Sequence, residues 1–270
     1  MQTITLNNGT HIPTLGLGLW RIRDEQECIT AISSALAVGF RHFDTAQVYE
    51  NEVFLGKALA AAAVPRKDLF ITTKIWNENM GWADLIATFD DSLRDLQMEY
   101  VDLLLLHFPV TERRRPAWPR MEELAASGRA RAIGVSNYTI THLEELLREC
   151  SIKPAVNQVE LHVYLQQPEL LAFCREHDIA VEAYSPLAHG YGVDNPVLKA
   201  VGDKHHKSPA QVMIRWCLEM GAIALPKSVH AGRIQENFDV FDFSLDDDDQ
   251  AKLIALNRNY RTCWDPTHVA

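Results

Sequence analysis

Apolar and polar positions alternate along this chain in a regular rhythm of short apolar runs and longer amphipathic stretches. The runs Gly16–Trp20, Arg41–Thr45, Leu69–Ile75, Val101–His107, Ala130–Ser136, Ala155–Glu160, Ala180–Ser185 and Ala222–Pro226 predict strands. Between them, 3.6-residue periodicity predicts helices over Glu25–Val38, Asn51–Ala63, Ala83–Leu96, Ala117–Ala126, Ile140–Glu149, Pro168–His177 and Pro209–Glu219. A short helix follows from Arg233, and another spans Asp246–Leu256, whose four leading Asp residues suit the positive end of a helix dipole. Asn51 is placed to cap the helix that it opens. Ahead of this series, Thr3–Ile12 predicts a hairpin around Asn8-Gly9, a two-residue turn signal. Uniformly apolar strands such as DLLLL suit a parallel sheet buried on both faces. Eight of them alternating with helices predict an α/β fold, a closed (β/α)8 TIM barrel with an N-terminal β-hairpin and a short C-terminal tail. No linker or low-complexity tract interrupts the pattern, so a single domain over 1–270 is expected.

Composition narrows the function. A formal net charge of −10 disfavours nucleic-acid binding. No apolar run reaches the roughly 18 residues of a membrane span, and no secretion signal is evident. Five scattered cysteines without a C-x-x-C pair point to reduced thiols in a cytoplasmic protein and away from a Cys-based zinc site. H-E-x-x-H is also missing, so no metal is expected. No nucleic-acid or membrane partner is expected, and the expected state is a monomer.

A barrel places the carboxyl end of every strand on one rim, where barrel enzymes keep their sites. Asp44, Lys74 and His107 end three successive strands, and Tyr49 follows Asp44 before the next helix. A Lys beside a Tyr favours the phenolate, which predicts a Tyr49 pKa drawn down from about 10. Such a Tyr works as a general acid–base on a carbonyl, with the His donating a hydrogen bond to the same oxygen. Taken singly, each residue also admits a plainer reading: Lys74 as an ion-pair partner, His107 as a satisfied core histidine. Trp20, Trp76 and Phe108 fall where they would line a pocket with aromatic wall. Arg113-Arg114-Arg115 follows His107 and is either solvated loop charge or a carboxylate attractor. Dinucleotide binding of the Rossmann kind is not expected, because no G-x-G-x-x-G follows a strand.

GFRHFDTAQVYENE, FITTKIW, VDLLLLHFP, AIGVSNY, NQVELH, AYSPL and LPKS-x4-RIQEN resemble, in order and over nearly the whole chain, the motifs of the aldo-keto reductases. The short chain and brief tail are most similar to the bacterial 2,5-diketo-D-gluconate reductases. The resemblance implies metal-free, NADPH-dependent reduction of aldehydes or ketones to alcohols. Tyr49 would be the proton donor, Lys74 and Asp44 would tune it, and His107 would orient the carbonyl. Ser136, Asn137 and Gln158 would hold the nicotinamide carboxamide, and Tyr184 would stack on its ring. Ser185, Leu187 and the following AHGYGVDN loop would cover the pyrophosphate; a plain long crossover is the other reading of that loop. Lys227, Ser228 and Arg233 would take the adenosine 2′-phosphate, with Glu236 and Asn237 near adenine. Implied substrates are diketogluconate-like keto sugars or acids, methylglyoxal and other small aldehydes. Phe108 stands where the diketogluconate relatives usually carry Trp, Val163 where many members have Pro, and LPKS in place of IPKS. Two competing classes are a Schiff-base aldolase acting through Lys74 and a non-catalytic NADPH-binding regulatory protein.

Overall fold

A computed structural model of the protein describes residues 2–81 and 84–268. The chain opens with a hairpin, β1 (Thr3–Thr5) antiparallel to β2 (His11–Pro13). Its turn differs from expectation. Thr5 pairs with His11, and Leu6 N–H donates to the Thr10 carbonyl at 2.8 Å, leaving Asn7, Asn8 and Gly9 as a three-residue loop. Gly9 takes the left-handed position at φ 85°, which lets a three-residue loop close without splaying the strands.

All eight expected barrel strands form, most of them shorter by a residue or two at the ends. They are β3 (Leu17–Gly18), β4 (His42–Asp44), β5 (Phe70–Ile75), β6 (Val101–Leu106), β7 (Ala130–Ser136), β8 (Val156–Glu160), β9 (Ala180–Tyr184) and β10 (Ile223–Leu225). Each pairs in parallel with its sequence neighbour. The ring closes between first and last: Gly16 N–H donates to the Ala224 carbonyl at 2.9 Å, and Gly18 N–H to that of Pro226 at 3.1 Å. Gly18 permits this approach, since a Cβ there would lie 3.3 Å from the Leu225 carbonyl oxygen. Strand β6 shows why its sequence is apolar throughout. Leu104 and Leu106 pack outward under the helices, while Leu103 and Leu105 pack inward with Leu6 and Ile12 of the hairpin. The hairpin therefore plugs the amino-terminal end of the barrel and leaves the carboxyl end open for a site.

The helices are α1 (Glu25–Val38), α2 (Glu52–Ala61), α3 (Asp84–Leu96), α4 (Arg114–Ala126), α5 (Ile140–Glu149), α6 (Pro168–Glu176), α7 (Pro196–His205), α8 (Pro209–Glu219), α9 (Ala231–Phe238) and α10 (Asp247–Ile254). Ala83, expected to open the third, lies outside the described residues. Helix α7 was not anticipated. The crossover after β9 holds two helices, the first capped by Asn195 on Val197 N–H with Pro196 at its first position. Helix α4 starts ahead of Ala117 and takes in Arg114 and Arg115, which pair with Glu145 and Glu149 of α5. The acidic run before α10 is a capping box: Asp246 accepts from Asp249 N–H at 3.0 Å. No helix among the described residues is long and apolar enough to cross a membrane.

Candidate active site

Strand β4 ends at Asp44, and the chain then makes one 3-10 turn, Gln47–Tyr49. Two amides hold that turn. Gln47 Oε1 accepts from Trp76 N–H at 2.8 Å and from Asn79 Nδ2 at 2.9 Å, while its Nε2 donates to the Thr88 carbonyl at 3.1 Å. Asn51 sits at the cap position of α2 but its side chain does not cap, contrary to expectation. It is fully buried and crosslinks loops, donating to the Leu19 and Ile22 carbonyls at 2.9 and 3.0 Å and accepting from Thr45 Oγ1 at 2.6 Å. Tyr49 is thus presented by a backbone tied to β3, β5 and α3.

The structure brings Asp44, Tyr49, Lys74 and His107 together. Lys74 is fully buried, and its Nζ donates to Asp44 Oδ1 at 2.6 Å and to the Thr45 carbonyl at 2.9 Å. The same Nζ stands 5.1 Å from the Tyr49 ring centre. His107 meets the Tyr49 ring edge-on, 5.8 Å between centres, and the Trp76 ring likewise at 5.3 Å. Burial, then the Lys74 charge, pulls His107 well below the usual imidazole range, so the ring is neutral and donates through one nitrogen. Its Nδ1 is buried without a partner.

One expectation is corrected here. Lys74 was expected to draw the Tyr49 phenol down. Burial first, then Asp44 and Cys263, push it well above the usual phenol range. Lys74 spends its charge on Asp44, so little net positive charge reaches the phenol.

A cavity of about 1040 Å³ runs from this cluster across the rim. Trp20, Asp44, Tyr49, Trp76 and Phe108 line one end, and Lys227, Ser228, Arg233, Glu236 and Asn237 the other, with Asn137, Tyr184, Ser185 and Leu187 between them. Lys74, His107, Ser136 and Gln158 lie buried outside its lining. Ser136 Oγ donates to the Gln158 carbonyl at 2.9 Å. Asn137 Nδ2 donates to the His107 carbonyl at 2.9 Å, and Tyr184 Oη donates to Asn137 Oδ1 at 2.7 Å. The Glu236 carboxylate accepts from Ser208 Oγ. Arg113, Arg114 and Arg115 do not line the cavity; they brace loops and helices, Arg113 on the Asn77 and Glu78 carbonyls.

Several lining residues had no signal in the sequence. Thr262, Cys263 and Trp264 come from the tail, which folds back over the rim. Buried Glu160 anchors it, accepting from Thr262 N–H and Oγ1, each at 2.6 Å, and from Cys263 N–H at 3.2 Å. Trp264 then packs on Phe108, 5.7 Å between ring centres. Arg21, Arg23 and His189 complete the mouth. A contact between Glu160 and Thr262 spans a hundred positions and leaves no periodic trace in either segment.

A closed parallel barrel with its ionisable cluster and main cavity at the carboxyl ends of the strands has the architecture of a barrel enzyme. The model of the Aldo/keto reductase family matches residues 14–258. A glyoxal reductase of Bacillus subtilis is 43% identical over 268 residues, covering 99% of this chain and 97% of that protein. A methylglyoxal reductase of Escherichia coli K12 is 45% identical over 267 residues, covering 97% and 96%. An aldo-keto reductase of Bombyx mori, solved in complex with NADP, superposes with a TM-score of 0.92 at 33% identity, covering 97% and 94%. The chain belongs to the aldo/keto reductase family and is an oxidoreductase.

Proposed function

We propose that this protein reduces the carbonyl group of small aldehydes and ketones with NADPH, with Tyr49 as the proton donor. The observation that carries this reading is the meeting of Tyr49, Lys74, Asp44 and neutral His107, with Tyr49 and Asp44 lining one end of the cavity and Lys74 and His107 packed behind them. The other end fits a phosphate. Lys227 and Arg233 both face the cavity, and neither side chain makes an ion pair or hydrogen bond among the described residues, although the chain is acidic overall. When bound, the nicotinamide supplies a hydride to the carbonyl carbon. Asn137 and Tyr184 line the stretch between the two ends and orient that ring. Gln158, buried just behind the lining, would hold the carboxamide. His107 donates a hydrogen bond to the carbonyl oxygen and polarises it. As negative charge grows on that oxygen, Tyr49 transfers its proton to it. Trp20, Trp76 and Phe108 exclude water from the reacting carbon and set an apolar wall.

Small 2-oxoaldehydes of the methylglyoxal type are the favoured substrates, in keeping with the names of the relatives; keto sugars of the diketogluconate type are the second choice. NADPH oxidation against a panel of methylglyoxal, glyoxal, aromatic aldehydes, keto acids and diketogluconate tests this. Tyr49→Phe should lower turnover about 100- to 10,000-fold on every active substrate while NADPH still binds. Wild-type turnover in Tyr49→Phe would remove the assignment.

A further inference from the structure

Next to Asp44 and Gln158 lie two buried groups that the reaction above does not use, Glu182 and His42. Gln158 Nε2 donates to two carboxylates at once, Asp44 Oδ2 and Glu182 Oε2, each at 2.8 Å. Glu182 and His42 are fully buried, and Gln158 nearly so. Glu182 Oε1 has no hydrogen-bond partner, but His42 Nε2 stands 3.5 Å from it. His42 Nε2 also lies 3.2 Å from Thr72 Oγ1. The groups facing Glu182 are therefore Gln158 of β8, Asp44 and His42 of β4, and Thr72 and Lys74 of β5.

Charge counting decides the protonation. Lys74 is the one cation in this set, and Asp44 is paired with it. A second bare carboxylate would leave an unbalanced buried anion. An amide turned the other way would aim its carbonyl oxygen at Asp44, so the two hydrogens must point at the carboxylates. That fixes the rest. Glu182 Oε2 is an acceptor, so its proton sits on Oε1, and the nearest acceptor is His42 Nε2. Burial and Asp44 raise Glu182 to about 8, and burial lowers His42 to about 3, which agrees with a neutral pair at neutral pH.

We propose that Glu182 is a positioning residue for the reduction: it keeps its proton toward His42 and, through Gln158, fixes which face of that amide is offered to the cofactor. The inference rests on the reading of Gln158 as a carboxamide contact. With both amide hydrogens held below, only Oε1 is left, and it can only accept, which suits the N–H of a carboxamide. A second consequence follows from the charge. Ionised Glu182 would add a buried anion close to the nicotinamide, favouring the positively charged oxidised ring over the neutral reduced one. Protonated Glu182 therefore biases the site toward NADPH.

The test is the affinity of the wild type, Glu182→Gln, Glu182→Met and Gln158→Leu for NADPH and NADP+ separately, by tryptophan fluorescence, near pH 7 and pH 9.5. In the wild type the preference should move toward NADP+ on the order of tenfold across that range. Glu182→Gln keeps an acceptor for Gln158 but has no proton to lose. It should rescue NADPH affinity at neutral pH to within about twofold and abolish the alkaline shift. Glu182→Met should weaken both cofactors roughly 3- to 10-fold at both pH values. Should Glu182→Met not fold, the Glu182→Gln profile decides alone. An alkaline shift retained in Glu182→Gln, or Glu182→Met binding like wild type, overturns the proposal. Gln158→Leu separates the two levels. Unchanged affinities there would remove the cofactor role of Gln158 and the route through it. A loss there with none in Glu182→Met would remove only the role of Glu182. A direct check needs no cofactor: the carboxyl carbon resonance of Glu182 should titrate near pH 8, and titration below about pH 6 would overturn the neutral assignment.

Discussion

Removing Lys74 is the sharpest perturbation of this fold, because it separates what the buried pair does for stability from what it does for chemistry. Lys74 Nζ lies 2.6 Å from Asp44 Oδ1, with both side chains almost wholly out of water. At that distance and an effective dielectric near 20, the Coulomb attraction is about 6 kcal/mol. Much of that offsets desolvation, so the pair's net contribution is small. Losing one partner is different. Lys74→Met leaves Asp44 with the Gln158 donor alone, and Asp44→Asn leaves the Lys74 ammonium with neutral acceptors and no counter-charge. Each single variant should lose about 3–5 kcal/mol. The double variant Asp44→Asn/Lys74→Met carries no buried charge at this point and should stand within about 2 kcal/mol of wild type, far from the sum. Urea denaturation followed by tryptophan fluorescence measures all three. Turnover should follow a different order: the double variant should recover the fold and remain about 100-fold or more impaired, since Tyr49 still lacks its neighbours. Additive stability losses would mean that the two charges do not depend on one another. A stable double variant with wild-type turnover would show that the pair has no part in proton transfer.

Two further outcomes are expected. Arg233→Ala should weaken NADPH binding by about 1.5–3 kcal/mol and leave NADH nearly unchanged, read by titration of each cofactor; equal losses would remove Arg233 from the 2′-phosphate site. Glu52 is buried, accepts from Thr73 Oγ1 at 2.6 Å, and is raised by burial from 4.5 to about 7. Since the folded protein holds this proton more tightly than the unfolded chain, its favourable contribution is fully present below about pH 4.5 and fades as pH rises through 7. Glu52→Gln should therefore gain relative stability with pH, up to about 3 kcal/mol at pH 8, and urea midpoints that differ by a constant amount from pH 5 to 8 would contradict this.

The barrel was legible because its strands are buried on both faces. A run such as VDLLLL has nowhere else to go, and eight such runs between amphipathic stretches fix the ring. Strand ends were less legible, since a ladder ends where its neighbour ends: β3 keeps two residues because β4 offers it only two partners. Helix α7 carries an ordinary start signal in Asn195-Pro196, but it follows a Gly-rich tract that reads as uninterrupted crossover. The four ionisable residues could be found because strand-end positions in a barrel share one rim. The ion pair of Lys74 with Asp44 was legible as well, and the two stand 2.6 Å apart on adjacent strands. What was not legible is the balance at the phenol: Lys74 near Tyr49 suggests a lowered pKa, whereas burial, which depends on how the rim packs, dominates and raises it. The tail was opaque for a related reason: its partners at the cavity, Glu160 and Phe108, lie far away in the sequence.

The raised phenol and the lowered imidazole together bear on direction. Reduction begins with a protonated Tyr49 and a His107 that needs only one N–H to donate. Burial favours both of those neutral forms. Alcohol oxidation begins with the opposite charge state, a tyrosinate able to take the hydroxyl proton. Burial opposes it first, and then the Asp44 charge. Protonated Glu182 acts in the same sense by withholding a negative charge that would favour the oxidised nicotinamide. On the proposed assignment, three groups, in the turn after β4, just past β6 and within β9, set their protons for the same half of the reaction. The bias toward carbonyl reduction is then a property of the buried barrel rim, and no single residue carries it.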